Sequence, residues 1–306
     1  VDAADFWAQY DHMYIPELGH NVSVTDYAHT LYIRASWTDF NPQEDVYGWK
    51  IDSNLRAYIE GAYQRNMRLA FRVVVDSRDK RTEFTPQFVK DAGAKGFMNK
   101  GKWSPYSDDP VFQKYYTKFV KALAKDFNDP SKVEFIDGFG LGKWGEYHTM
   151  IYSTGDDTPK KAVFNWVTDI YSQAFDKVPV VINYHRWIGA GKDWVDDEHF
   201  AADSEEMLEE AIKKGYSLRH DAFGMTTYYG SWERRFAKKY RNICPIIMEG
   251  GWIVKSHSYW QDPRGYRKDS HEDVRRGEFD DSKEAHVNMM DFRFGDTESW
   301  FKDAFD

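Results

Sequence analysis

Two glutamates carry the chemistry that stands out in this chain. Glu146 lies in KWGEYH (Lys143–His148), between Trp144 and Tyr147, and Glu249 directly follows the apolar residues Ile246–Met248 in PIIMEGGW. Each is a carboxylate at the end of an apolar stretch, and a carboxylate near buried surface needs partners. Two carboxyl groups facing one another can break a glycosidic bond. One donates a proton to the leaving oxygen, and the other, ionised, attacks the anomeric carbon or activates water. Burial and neighbouring charges hold those two states apart.

Other residues could serve the same chemistry. Arg34 stands inside the otherwise uncharged run TLYIRASW, and Arg72 near the middle of the largely apolar RLAFRVVV. The simplest arrangement has both arginines converge on the glutamates or grip substrate. The alternative is a structural ion pair with Asp11, Asp76 or Asp291, because buried charges are nearly always paired. Trp144, Trp187, Trp232 and Trp252 offer flat faces for stacking on sugars. His148, Asn183 and His185 could orient hydroxyls or the proton donor, and Tyr228 or Tyr229 could hydrogen-bond Glu249. Asp11, His12, His148 and His185 could meet around a metal, but no His-x-x-x-His spacing occurs. Neither a metal nor a cofactor is expected.

The elements that would position these groups alternate along the chain. Strand-like runs with little charge occur at Thr30–Trp37, Arg68–Val75, Phe135–Leu141, Pro179–His185, within Ser217–Tyr229, and at Pro245–Trp252. A short strand is expected in Phe6–Tyr14 and a last one in His286–Phe294. Helical spacing marks Ile51–Arg65, Thr85–Asp91, Pro110–Phe127, Lys160–Phe175, Ser204–Lys214, Ser231–Tyr240, Asp280–Met289 and Ser299–Phe305. About seven or eight strands alternating with helices predict an α/β (β/α)8 TIM barrel. In that fold the glutamates, at strand ends, share one mouth. A doubly wound sheet is less favoured, since no Gly-x-Gly-x-x-Gly follows an early strand; Gly138, Gly140 and Gly142 lack the helix a phosphate loop needs.

Composition narrows the field. The 306 residues, without a linker or low-complexity run, suit a single catalytic domain over 1–306, possibly the barrel part of a longer protein. A net charge of −9 argues against a nucleic-acid partner. No apolar run reaches ~18 residues, so no membrane span is expected. The single Cys244 excludes an internal disulfide. The sequence starts at Val1 rather than Met, so an N-terminal segment has been removed or left out; an extracellular or periplasmic location is expected. Aromatic residues make up 17%, with 12 Trp, more than a core alone requires.

These residues resemble clan A glycoside hydrolases, in particular a divergent beta-galactosidase-like branch, over roughly residues 30–295. RASWTDFNPQEDVYGWKID (Arg34–Asp52) is similar to the W-x-x-F-x-P-x-E-G-x-Y-x-W stretch of such enzymes, with Asp45 where glycine is usual. Taking TLYIRASW as strand two places Glu146 after strand four and Glu249 at the end of strand seven. The resemblance therefore implies a retaining enzyme, with Glu146 as acid/base, Glu249 as nucleophile, and Arg34 as the strand-two arginine. The substrate would be a polysaccharide or oligosaccharide. Gly145 departs from the family, which usually has Asn there to bond the sugar 2-hydroxyl; Asn183 or His185 could take that contact. GxWGEYH resembles barrel families linked to bacterial polysaccharide breakdown. The other readings are a carbohydrate-binding barrel without catalysis and a metal-dependent hydrolase. Arg34, Arg72, Lys143 and Arg186 hint at an acidic or sulfated glycan.

Overall fold

Largely apolar runs, several of them carrying a charged residue, become the strands of a curled sheet. The computed structural model describes residues 1–15, 18–191, 198–224, 228–250 and 271–291. The chain begins with α1 (Ala3–Asp11), β1 (Met13–Ile15), β2 (His20–Val22), β3 (Thr30–Ser36), α2 (Trp37–Phe40), α3 (Asn54–Gln64) and β4 (Arg68–Val74). Then come α4 (Gln87–Asp91), β5 (Gly96–Asn99), β6 (Lys102–Pro105), α5 (Pro110–Phe127), β7 (Val133–Asp137), α6 (Lys160–Ala174) and β8 (Val180–Asn183). The rest is α7 (Glu198–Lys213), β9 (Ser217–Phe223), α8 (Ser231–Tyr240), β10 (Ile246–Gly250), α9 (His271–Ala285) and β11 (Met289–Asp291).

Seven strands pair in the order β11-β10-β9-β8-β7-β4-β3. Every neighbouring pair is parallel. The sheet curls into a barrel, and although its edge strands β3 and β11 do not pair among the described residues, Arg34 on β3 reaches Glu249 on β10, 3.6 Å away. Alternate side chains fill its interior, where Ala70, Phe135, Val181 and Ile247 cluster with Tyr32 and Met289. The helices cover the outside. This is the expected α/β (β/α)8 barrel. Between β3 and β11 lies a cavity of about 740 Å³, lined by Thr30, Tyr32, Met289 and Met290 among others.

Local rules place the helices. The α5 helix starts where Asp109 accepts a hydrogen bond from the Phe112 amide, with Pro110 in its first turn. Its stripe of Phe112, Tyr116, Phe119, Val120 and Leu123 is buried. The strand expected in Phe6–Tyr14 does not form. That stretch is mostly α1, capped by Asp2, with Ala3, Trp7 and Tyr10 buried at helical spacing. The short β1 follows it and pairs antiparallel with β2, outside the barrel sheet. The long loop after β4 contains the β5–β6 hairpin. Ser299–Phe305 and most of the loop after β10 lie outside the described residues. No described helix is long and apolar enough to cross a membrane.

Candidate active site

The loop that carries Glu146 is set by close packing behind it. The β7 strand ends at Asp137, short of the expected Leu141. Beyond it the chain stays tied to its neighbours: the Gly138 amide donates to Val181 O (2.8 Å) and the Val75 amide to Gly140 O (3.1 Å). A Cβ on Gly140 would sit 2.0 Å from Val73 O. Glycine there serves strand packing, not phosphate binding. A 3-10 turn, Lys143–Gly145, then leads into Glu146. Around it Trp144 (φ 60°), Tyr147 (φ 60°) and Thr149 (φ 50°) adopt left-handed backbone. Bulky residues rarely do so, and such strain concentrates at functional sites. Here it is held by Tyr147 N–H to Leu141 O (2.9 Å) and Gly189 N–H to Tyr147 O (2.8 Å).

Glu146 and Glu249 meet at one mouth, joined by a single guanidinium group. Arg34 Nη2 donates to Glu146 Oε1 at 2.7 Å, and its Nη1 lies 3.6 Å from Glu249 Oε2. Arg34 also donates to Trp144 O at 3.3 Å. A second arginine, Arg219 on β9, donates from Nη2 to Glu249 Oε2 at 2.6 Å. The Glu249 side chain is 6% exposed and that of Glu146 16%. His148 Nε2 lies 3.3 Å from Glu146 Oε2. His185 holds the backbone at the same residue. The Trp187 amide donates to its Nδ1 (3.2 Å), which leaves Nε2–H to donate to Glu146 O (2.7 Å).

Arg72 stands behind the pair. It is fully buried, donates from Nε to Asp137 Oδ2 at 2.6 Å, and its Nη1 lies 2.6 Å from Asp221 Oδ2 and 3.5 Å from Glu146 Oε1. Its alternative partners are taken elsewhere: Asp11 pairs with Arg65 and Asp76 with Arg78. Asn183 donates to Asp221 Oδ2 at 3.1 Å. Glu146, His148, Asn183, His185, Trp187 and Tyr228 help line a second cavity of about 40 Å³. That is room for about one water or hydroxyl. Tyr229 does not hydrogen-bond the nucleophile candidate, since its hydroxyl meets that of the buried Tyr184 at 2.7 Å. Trp232 stacks on Phe236 within α8 rather than at the mouth. Trp187 carries Arg186 over its ring at 3.8 Å. Trp252 lies outside the described residues.

The cations that hinted at an acidic glycan all have protein partners. Besides Arg34 and Arg72, Lys143 pairs with Asp79 (3.2 Å) and Arg186 with the buried Glu233 (2.9 Å). A convergence of Asp11 with the histidines does not form. Among the described residues no group of three or more His, Cys, Asp or Glu side chains is placed to hold a metal.

Four residues of the site are additions to the expected set. Arg219, His220 and Asp221 come from SLRHDAF, and Asp137 from FIDG. Arg219 and Asp221 alternate along β9, so both point into the barrel. Burial works against ionisation of Asp221, but Arg219, Arg72 and Arg34 outweigh it and hold its carboxyl well below the ordinary value. Burial raises the Asp137 carboxyl, despite Arg72 and Arg219. Burial, with His185 nearby, lowers His220 to about 3, so it is neutral. Charge periodicity within β9 was the available signal for Arg219 and Asp221.

No protein-family model and no curated protein sequence matches the chain. Solved structures do. Xylanase B from Clostridium stercorarium F9 is similar over 88% of this chain and 79% of its own, at 13% identity and TM-score 0.53. The intracellular xylanase TsXylA from Thermoanaerobacterium saccharolyticum is similar over 88% and 78%, at 9% identity and TM-score 0.53. The exo-beta-1,4-mannosidase Op5Man5 from Opitutaceae bacterium strain TAV5 matches over 94% of this chain but 47% of its own, at 14% identity and TM-score 0.53. Such identities establish a shared barrel fold.

Proposed function

We propose that this chain is a clan A glycoside hydrolase that cleaves a polysaccharide or oligosaccharide with retention of configuration. One observation carries the reading: Arg34 contacts both Glu146 and Glu249 at the C-terminal end of parallel barrel strands. Both glutamates contact two guanidinium groups; Glu249 is the more buried and accepts a 2.6 Å hydrogen bond from the fully buried Arg219, a setting that suits an anionic nucleophile. Glu146 is more open to water and so suits proton exchange. In the first step Glu249 attacks the anomeric carbon while Glu146 gives its proton to the departing oxygen. In the second, Glu146 takes a proton from water, which attacks the same carbon and frees Glu249. Xylanase and mannosidase neighbours support a sugar substrate; the beta-galactosidase-like branch rests on the Arg34–Asp52 stretch alone. An extracellular or periplasmic site of action belongs to the same proposal.

The non-catalytic reading rested on Gly145. Its backbone has φ +75°, and a Cβ there would meet Arg72 Cδ at 3.3 Å and Val74 Cγ2 at 3.4 Å. A side chain would press on the barrel wall, so the local backbone supplies a reason for glycine at this position that is independent of catalysis.

A screen against plant and algal polysaccharides, with product stereochemistry read by NMR, tests the proposal. Retention is expected, with carboxyl groups about 5–5.5 Å apart in a ligand complex. Glu146→Gln should lower kcat by about 10²–10⁴-fold, and Glu249→Gln should nearly abolish turnover, both with unchanged melting temperature. Full activity in both variants, or inverted product, overturns the assignment.

A further inference from the structure

Asp221 lies outside the glutamate pair, yet it meets both buried arginines at 2.6 Å, whereas Asp137 lies 2.6 Å from Arg72 but 3.7 Å from Arg219. Its Oδ2 lies 2.6 Å from Arg72 Nη1 as an ion pair and accepts from Asn183 Nδ2 at 3.1 Å, and its Oδ1 accepts from Arg219 Nε at 2.6 Å. The same arginines reach the glutamates: Arg219 Nη2 meets Glu249 at 2.6 Å, and the Arg72 Nη1 that meets Asp221 also lies 3.5 Å from Glu146. The backbone is built for this placement. Against β10, His220 pairs with Met248 and Phe223 with Gly250, so β9 bulges at Asp221–Ala222 opposite Glu249. Bulges beside active sites re-aim side chains. Asp137 also bonds Arg72, but its Oδ1 has no hydrogen-bond partner among the described residues.

Arg72 and Arg219 are fully buried, so water does not compensate their charge. The carboxylates that touch them must. We propose that Asp221 is a positioning residue: a fixed anion that takes up part of the charge of Arg72 and Arg219, and so limits their pull on Glu146 and Glu249. The inference rests on the glutamate-pair reading of the site. Without Asp221 the two arginines turn their full charge on the glutamates, and Glu146 gives up its proton too early to serve as an acid. Among the described residues, the other groups facing Asp221 include Arg34 and Tyr32 from β3, Asp137 from β7 and the neutral His220 beside it.

The test is a ¹³C NMR titration of the glutamate side-chain carboxyls, with Glu146 and Glu249 assigned from their Gln variants. It uses the whole chain and needs no substrate. In Asp221→Asn, which keeps the side-chain shape, both midpoints should fall by about one pH unit or more. In Arg219→Gln the Glu249 midpoint should rise while that of Glu146 stays in place. The basic limb of the pH–rate profile should move down with Glu146 in Asp221→Asn. Unmoved midpoints in Asp221→Asn, with only a lower melting temperature, overturn the proposal. So does an equal shift of both glutamates in Arg219→Gln, which decides the matter if Asp221→Asn does not fold. If the wild type hydrolyses no glycoside, the proposed function falls while the titration still decides the role of Asp221.

Discussion

At Gly145 the choice of residue follows from backbone rather than from substrate. A φ of +75° costs an L-residue about 1–2 kcal/mol, and the Cβ would add pressure on Arg72. Gly145→Ala should therefore lower the unfolding free energy by about that amount, measured by urea denaturation. Gly145→Asn should cost less, because Asn tolerates left-handed backbone better. If Asn instead raised stability, the left-handed turn before Glu146 would be wrong. His220 shows the same dominance of surroundings. Its amide partner Ala222 donates to Nδ1 at 3.0 Å, and Tyr184 and Tyr229 pack on its ring. No feature of SLRHDAF by itself distinguishes this neutral core imidazole from an exposed one.

Among the elements, the segment from Trp37 to Trp49 explains what the family resemblance measures. Trp37 and Phe40 are fully buried, and Asn41 Nδ2 donates to Gln43 O and Val46 O at 2.7 and 2.9 Å. Trp49 donates to Asp126 at 2.9 Å. Asp45, where the family has glycine, takes φ +61°. These residues pack the loop after β3, so the motif reports fold more than sugar specificity. Helix starts are equally local. Asp109 caps α5 with one oxygen (Phe112 N–H, 2.8 Å) and takes the Lys95 amide with the other (3.1 Å). Asp109→Ala should destabilise by about 1–2 kcal/mol, seen as a lower urea midpoint. An unchanged midpoint would mean that water replaces both bonds.

Across the whole molecule, ion pairs tie the outer layer together. The hydrogen bond from Arg65 holds Asp11 below the ordinary carboxylate value, and Arg235 and Lys239 do the same for Glu205 and Glu209 between α7 and α8. A carboxyl lowered on folding stabilises above its unfolded value and loses that contribution as pH falls through the folded one. His220 is also lowered, from 6.5 to about 3, so its contribution is full above 6.5 and declines as pH falls from there. Two acid steps should follow in melting temperature against pH: a decline from about 6.5, then a steeper one below about 4. His220→Leu should flatten the first and leave the second. A first step that survives this substitution would belong to another group.

The (β/α)8 alternation, most strand and helix positions and the two glutamates were readable because they depend on short-range patterning. Uncharged runs, helical stripes and caps act within about ten residues of chain. Phe6–Tyr14 misled for the same reason, because a short aromatic run fits either period until its burial partners are known. What only the tertiary structure decided was the pairing of charges. Arg34 lies with Glu146 and Glu249, and Arg72 and Arg219 lie with Asp221, because parallel register, barrel closure and a one-residue bulge bring distant strands to one mouth. Ion pairs between strands carry no local signature in either partner. The chain order alone could therefore place two carboxylates at strand ends, but not the arginine–aspartate lattice that holds them.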